Sequence, residues 1–331
     1  MRRQILNNPE DLVDEALEGL ALTHPSTIAY DREAGIVKRA HPARDKVGLV
    51  SGGGSGHEPL HAGFVGAGML DVAVPGAVFA SPTALQVHEG TIAADSGRGV
   101  VQIVKNYTGD VLNFRIAGEL ADDDAVRTEV VLVDDDLATD TADGGPGRRG
   151  TAAVLAVEKI CGASAEAGAE LGEVAELGRR VARNARTLSL ALSAGTHPGE
   201  TEPAFELGAD EVELGVGIHG ERGTGRVPFA DADALTELLV EPLVAELGPA
   251  RGSSVIAIVN GLGGTCPLEL SVAARAVHRS LAGRGIAVAR SLVGSYVTSL
   301  DMHGMSVTLL PADLDLLPLW DAPVRTPALT W

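Results

Sequence analysis

Cysteine is nearly missing from this 331-residue chain: only Cys161 and Cys266 are present, far apart and in no C-x-x-C pair. That excludes a disulfide scaffold and a cysteine-rich metal centre, and it points to a reduced, cytoplasmic setting. Basic residues are also short, 26 against 45 acidic ones, giving a formal net charge of −19 and a pI near 4.8. Such a field repels phosphate backbones, so nucleic acid is not an expected partner. No apolar run approaches a membrane span, and the N-terminal "MRRQILNNPEDLVDEAL" lacks the apolar core of a signal peptide. The glycine cluster at residues 52–56 has neither the Lys-Ser/Thr that follows a Walker loop nor the G-x-G-x-x-G spacing of a dinucleotide turn.

What is present is an Ala-, Val-, Leu- and Gly-rich composition with 45% hydrophobic residues and only 3% aromatics. Strand-like runs at Val47–Val50, Val72–Val74, Val100–Lys105 and Glu129–Val133 alternate with helical patterns, a βαβ rhythm. A short amphipathic helix over about Asn8–Ala21 precedes them, and Ala-rich helices over Thr151–Glu166 and Glu170–Ala185 follow the loop "LATDTADGGPGRRG". Strand-like runs then restart with "TLSLALS", "EVELGVGI", "SVIAIVN", "IAVARSLV" and "SVTLLP". The expected fold is therefore two α/β domains, residues 1–185 and 186–331, each with a mostly parallel or mixed sheet flanked by helices. The acidic runs Asp122–Asp124 and Asp134–Asp136 read as solvated surface ahead of cation sites.

Open α/β sheets bind ligands beyond the carboxyl ends of their strands, and three such places carry chemistry. The first is "SGGGSGHEP", residues 51–59, with His57. Its glycines let backbone N–H groups approach a ligand, or they make a tight strand-to-helix turn in which His57 merely packs. The second is "VVQIVKNYTGDVLNF", where Lys105 ends a strand and Asp110 opens a helix. Asp110 there is either a helix-terminal carboxylate behind a Thr108 cap or a site residue. The third is "LGVGIHGERGTGRVPF", in which His219 stands between Gly217 and Gly220. An accessible neutral imidazole can add to a carbonyl; a hydrogen-bonding loop histidine and a lone metal ligand are the alternatives. Of the remaining histidines, His303 reads as a supporting residue, while His24, His41, His61, His88, His197 and His278 read as ordinary loop or helix residues.

The stretches "LVSGGGSGHEPLHAGFVGAGML", "IVKNYTGDVLNF", "VVLVDDD", "GRRG", "EVELGVGIHGERG", "SLDMHGMSVTLL" and "LWDAPVRTPALTW" span the chain in this order. Together they resemble the substrate-binding K subunits of the dihydroxyacetone kinase family. The resemblance implies a two-domain α/β homodimer that binds dihydroxyacetone. It also implies a covalent hemiaminal on His219, Asp110 as base for the attacking hydroxyl, and His57 as its partner in proton handling. Gly54, Ser55, Gly56 and Lys105 would line the substrate.

Single-chain members of the family continue into a helical nucleotide domain, whereas this chain stops at Trp331. ADP or ATP with Mg2+ is accordingly expected on a separate L subunit, with no cofactor and no metal on this chain. Two other functions stay open: a kinase subunit for a tetrulose or other short sugar, and a non-catalytic ketone-binding coactivator of a transcription regulator.

Overall fold

The computed structural model describes residues 4–139 and 147–331. Part of the expected loop at 137–150, residues 140–146, lies outside the described residues. The first sheet contains β1 (Ile28–Asp31), β2 (Ile36–Arg39), β3 (Gly48–Ser55), β4 (Val72–Val78), β5 (Val100–Lys105) and β6 (Thr128–Val133), in spatial order β1-β2-β4-β3-β5-β6. β4, β3, β5 and β6 run parallel, while β1 and β2 form an antiparallel edge. Its helices are α1 (Leu12–Thr23), α2 (Ala84–Ala94), α3 (Thr108–Asp123), α4 (Ala153–Glu166) and α5 (Leu171–Asn184).

The second sheet has the order β11-β10-β12-β7-β8-β9, from β7 (Arg186–Ser193), β8 (Glu211–Leu214), β9 (Gly225–Pro228), β10 (Ser254–Gly261), β11 (Ala287–Gly294) and β12 (His303–Pro311). Only β10 and β11 pair in parallel, across the crossover helix α7 (Pro267–Gly283); the other pairs are antiparallel. The remaining α-helices are α6 (Ala232–Leu247) and α8 (Leu317–Asp321). Both halves are thus α/β with six-stranded sheets, the first dominated by parallel pairing and the second mixed.

The compact units do not follow a single cut near residue 185. One comprises Ile5–Val133, Val154–Ala182 and Pro318–Trp331; the other holds Gln4, Asp134–Ala153 and Arg183–Leu317. α4 and α5 fall with the first sheet; the departures from a single cut are held by backbone hydrogen bonds, the Thr187 N–H donating to the Asp135 carbonyl at 2.8 Å and the Ala328 N–H to the Gly63 carbonyl at 2.9 Å. In the first unit Val50, Val72, Val74, Val100 and Val104 of the strands meet Val87 and Ala94 of α2 and Phe114 and Ala117 of α3. Each of these valines, and Phe114, contributes about 1.5–3 kcal/mol through burial. In the second unit Leu235, Leu239 and Leu243 of α6 and Ala273, Val277 and Leu281 of α7 cover Val255, Ala257, Val259, Val307 and Leu309.

Two expectations change. The glycines of "SGGGS" are not a loop after the strand: β3 runs through them to Ser55, every residue buried. Glycine is required there by close approach, since a Cβ on Gly52 would lie 2.4 Å from the Val74 carbonyl oxygen and one on Gly54 2.7 Å from the Ala80 nitrogen. The acidic run at Asp134–Asp136 is not solvated either, because Asp135 and Asp136 are buried. Asp135 accepts hydrogen bonds from the Thr151 N–H (2.6 Å), the Thr151 hydroxyl (2.8 Å) and the Ala153 N–H (2.9 Å), satisfying donors at the start of α4.

Candidate functional site

Two clusters carry the chemistry, one in each unit. In the first unit, parallel pairing of β4, β3, β5 and β6 gathers the carboxyl ends of the strands, and β3 and β5 deliver Ser55 and Lys105 there. Ser55 donates its hydroxyl proton to the Gly76 carbonyl (2.7 Å), and the Gly56 N–H donates to the Glu58 carboxylate at 3.0 Å. His57 is wholly buried, its ring stacked on Phe79 with centroids 5.2 Å apart. Lys105, also wholly buried, donates from Nζ to the Gly52 carbonyl at 3.1 Å and lies 2.9 Å from His61 Nε2.

Asp110 sits in the first turn of α3. The residue preceding that helix is Tyr107 rather than the expected cap Thr108, and no side-chain cap bond is made. Asp110 is 3% exposed; Oδ2 lies 3.7 Å from Lys105 Nζ, while Oδ1 is buried with no hydrogen-bond partner. A buried carboxylate with an idle oxygen is costly unless it has a use, since burial without a hydrogen bond forfeits solvation. Glycine again makes the geometry possible: Gly53 has φ +153°, and a Cβ on it would come within 2.4 Å of Lys105 Nζ. Gly109 lets Ser81 close on the same helix start, with Oγ 2.6 Å from the place of a Cβ.

A cavity of about 380 Å³ adjoins this strand end, lined by Leu17 and Leu20 of α1 together with Gly53, Gly54, Ser55 and His61. A larger depression of about 820 Å³ runs along α3 and β6 past Phe114, Val130 and Leu132. Asp110, Lys105 and His57 line neither of the two, so chemistry rather than size marks the site.

In the second unit His219 occupies a turn after β8, on a loop anchored by buried Val216 and Ile218. Its backbone N–H donates to Glu221 Oε2 at 2.9 Å, and Nδ1 lies 3.5 Å from Glu221 Oε1. Burial would raise Glu221, but the hydrogen bond and charge of His219, with Arg149 behind, hold its carboxyl at about 2. Arg149 itself is fixed by Asp136 at 2.7 Å and by the Gly215 carbonyl at 3.1 Å. Burial pushes Asp136 up to about 6 against the pull of Arg149. When the imidazole is neutral, an Nδ1–H facing Glu221 leaves the lone pair on Nε2. His303 pairs with Glu269 at 3.0 Å.

The Dak1 domain description matches residues 18–328. The chain belongs to the Dak1 domain family. It is 46% identical over 321 residues to the dihydroxyacetone-binding subunit of a PTS-dependent dihydroxyacetone kinase from Listeria innocua, covering 96% of this chain and 98% of that one. Among solved structures, the dihydroxyacetone kinase of C. freundii superposes with TM-score 0.89 at 34% identity, over 100% of this chain and 60% of that chain. A dihydroxyacetone kinase operon co-activator superposes with TM-score 0.91 at 33% identity, over 95% and 97%. The family resemblance carried by the sequence motifs is thus borne out.

Within this Dak1 chain, the structure brings Gly54, Ser55, Gly56, His57, Lys105 and Asp110 to one strand end of the first unit, and holds His219 on a loop of the second. Sequence reasoning missed Glu221, Arg149 and the pair His61–Glu158. Glu221 was legible in the "GIHGERG" motif, two residues after the histidine. His61 gave no such signal, because its partner Glu158 is 97 residues away. Among the described residues no cluster of three or more His, Cys, Asp or Glu side chains could hold a metal, and no helix is long and apolar enough to cross a membrane.

Proposed function

We propose that this protein is the dihydroxyacetone-binding subunit of a dihydroxyacetone kinase, holding the ketone covalently while its terminal hydroxyl accepts a phosphoryl group. The observation that carries the reading is the buried Lys105–Asp110 pair with its idle carboxylate oxygen, built on glycine-lined strand ends in a chain 46% identical to such a subunit. His219 Nε2 adds its lone pair to the carbonyl carbon; the C=O π bond breaks, and the oxygen takes up a proton to become the hemiaminal hydroxyl. The ring is left as an imidazolium, whose charge the ionised Glu221 stabilises. Glycerol, with the same terminal hydroxyls but no carbonyl, cannot form that bond, so discrimination follows from chemistry rather than fit.

Asp110 takes the proton of the terminal hydroxyl as that oxygen attacks phosphorus. Phosphoryl transfer is loose and rewards positioning more than full deprotonation, so an ordinary carboxylate suffices. Lys105 donates to substrate oxygen, and His57 hydrogen-bonds the reacting hydroxyl. ADP or ATP with Mg2+ on an L subunit would supply the phosphoryl group and the charge neutralisation it needs. The reading includes a cytoplasmic homodimer as the working form.

The test is a coupled assay of the purified chain with an L subunit, comparing dihydroxyacetone, erythrulose and glycerol. Turnover of dihydroxyacetone, dependent on the L subunit, is expected, with glycerol inert; ATP-dependent turnover by the chain alone would defeat the subunit reading. Native intact mass should show a dihydroxyacetone adduct that His219→Ala abolishes, and persistence of the adduct in that variant would move the covalent role elsewhere. The likeness to the operon co-activator favours a second reading, ketone binding without transfer. An adduct with no turnover under any donor would select it.

A further inference from the structure

Behind Lys105 lies a second pair of titratable side chains that the reaction above does not use. His61 Nε2 stands 2.9 Å from Lys105 Nζ, and His61 Nδ1 stands 2.6 Å from Glu158 Oε1. His61 is 6% exposed and Glu158 is wholly buried on α4. The four groups Asp110, Lys105, His61 and Glu158 therefore form one continuous file from the start of α3 to the middle of α4, all within the first unit.

Hydrogen-bond accounting ties the proton positions to one another. An ammonium can only donate, and Lys105 Nζ lies 3.7 Å from Asp110 Oδ2. His61 Nε2 must then accept, so the ring hydrogen is on Nδ1 and points to Glu158, which must accept as a carboxylate. Two of the three Lys105 N–H bonds are committed, one to Gly52 O and one to His61. The third is left for Asp110 and for a ligand oxygen.

We propose that Glu158 and His61 are positioning residues for Lys105: Glu158 fixes the His61 tautomer, and His61 holds the ammonium so that its remaining N–H faces the Asp110 side, where the triose hydroxyl binds. This rests on the function proposed above, but the tautomer itself does not. Burial, with the charges of Lys105 and His57, holds His61 well below the usual imidazole range, so it stays neutral at ordinary pH. Burial pushes Glu158 up to about 8 against the pull of Lys105, so the carboxylate that this arrangement needs is complete only above that value. The competing arrangement is a neutral file, with protonated Glu158 donating to Nδ1 and Nε2–H donating to an uncharged amine.

The test uses the full chain. Nitrogen-15 NMR of labelled histidine at pH 9, where Glu158 is ionised, should find His61 as the Nδ1–H tautomer; the Nε2–H form there would overturn the proposal whatever the protein's activity. His61→Leu, which removes the acceptor, should raise KM and Kd for dihydroxyacetone roughly 10- to 100-fold, the worth of a hydrogen bond to a charged group. His61→Gln, whose amide oxygen can stand in for Nε2, should move both back toward the parent values. A structural role alone would lower the active fraction, and hence kcat, at unchanged KM. Unchanged KM in His61→Leu, or a His61→Gln variant as impaired as His61→Leu, would sink the idea. If the parent protein neither bound nor turned over dihydroxyacetone, the functional reading would fail, and the tautomer measurement would still decide the His61 arrangement.

Discussion

Lys105, Asp110 and His57 are sealed from solvent at the carboxyl ends of parallel strands, whereas His219 keeps 18% of its side chain exposed on a loop after an antiparallel one. The first cluster is held by burial and by charges that face one another. The second needs one orienting carboxylate, Glu221, and an arginine behind it. The difference follows from the tasks proposed for them. A nucleophile that bonds to an incoming ketone must be reachable, while groups that steer a proton and a hydroxyl gain strength in a dry, preorganised setting.

The hardest blow to this contrast would come from Asp110→Asn. It keeps the shape of the buried cluster and removes the base, so turnover should fall by about 10²- to 10⁴-fold with the His219 adduct still seen in native mass spectra. Near-parent turnover would reduce Asp110 to a helix-terminal carboxylate and leave the sealed cluster without a catalytic reason.

A smaller effect should follow from Gly53→Ala. The new Cβ would crowd Lys105 Nζ at 2.4 Å on a residue with φ +153°, a backbone state that side chains resist. We expect a loss of about 1–3 kcal/mol in a denaturant titration, together with a raised KM as the ammonium leaves Gly52 O and His61. Parent-like stability and KM would mean the sealed cluster tolerates displacement and is less rigid than argued here.

The mildest change tests the accessible side. Glu221 is held at about 2 in the folded protein against an ordinary 4.5, so its stabilisation is complete above about pH 4.5 and is lost as pH falls toward 2. Thermal melts of the parent and Glu221→Gln should therefore show a gap that shrinks progressively as pH falls from about 4.5 to 2. A gap that is as large at pH 2 as at pH 5 would show that Glu221 matters through packing rather than charge.

Much of this was legible in the chain. The β-branched runs at Val100–Lys105 and Glu129–Val133 are strands β5 and β6 almost to the residue; β5 is buried throughout, as its continuous apolar character requires, whereas β6 is an edge strand and leaves Val130 and Leu132 exposed. The short strands β1, β2 and β9, reading "IAYD", "IVKR" and "GRVP", were not legible, since four mixed residues carry no clear period. The run at Asp134–Asp136 misled for a related reason. Composition says that aspartates are solvated, but it cannot say that Asp135 will cap α4 from 16 residues away.

Periodicity, glycine placement and motif order are local properties, and they alone determined the α/β class, the strand ends bearing Lys105 and His57, and the glycine-flanked His219. The tertiary structure decided what lies across long separations: that the C-terminal residues 318–331 belong with the first sheet, that β3 continues through its glycines because neighbouring backbone fills the space of their missing Cβ atoms, and that Glu158 meets His61 behind Lys105. A side chain's own pattern sets whether it is buried, but the partner it meets there is set by which distant segment packs against it, and no short stretch of sequence encodes that choice.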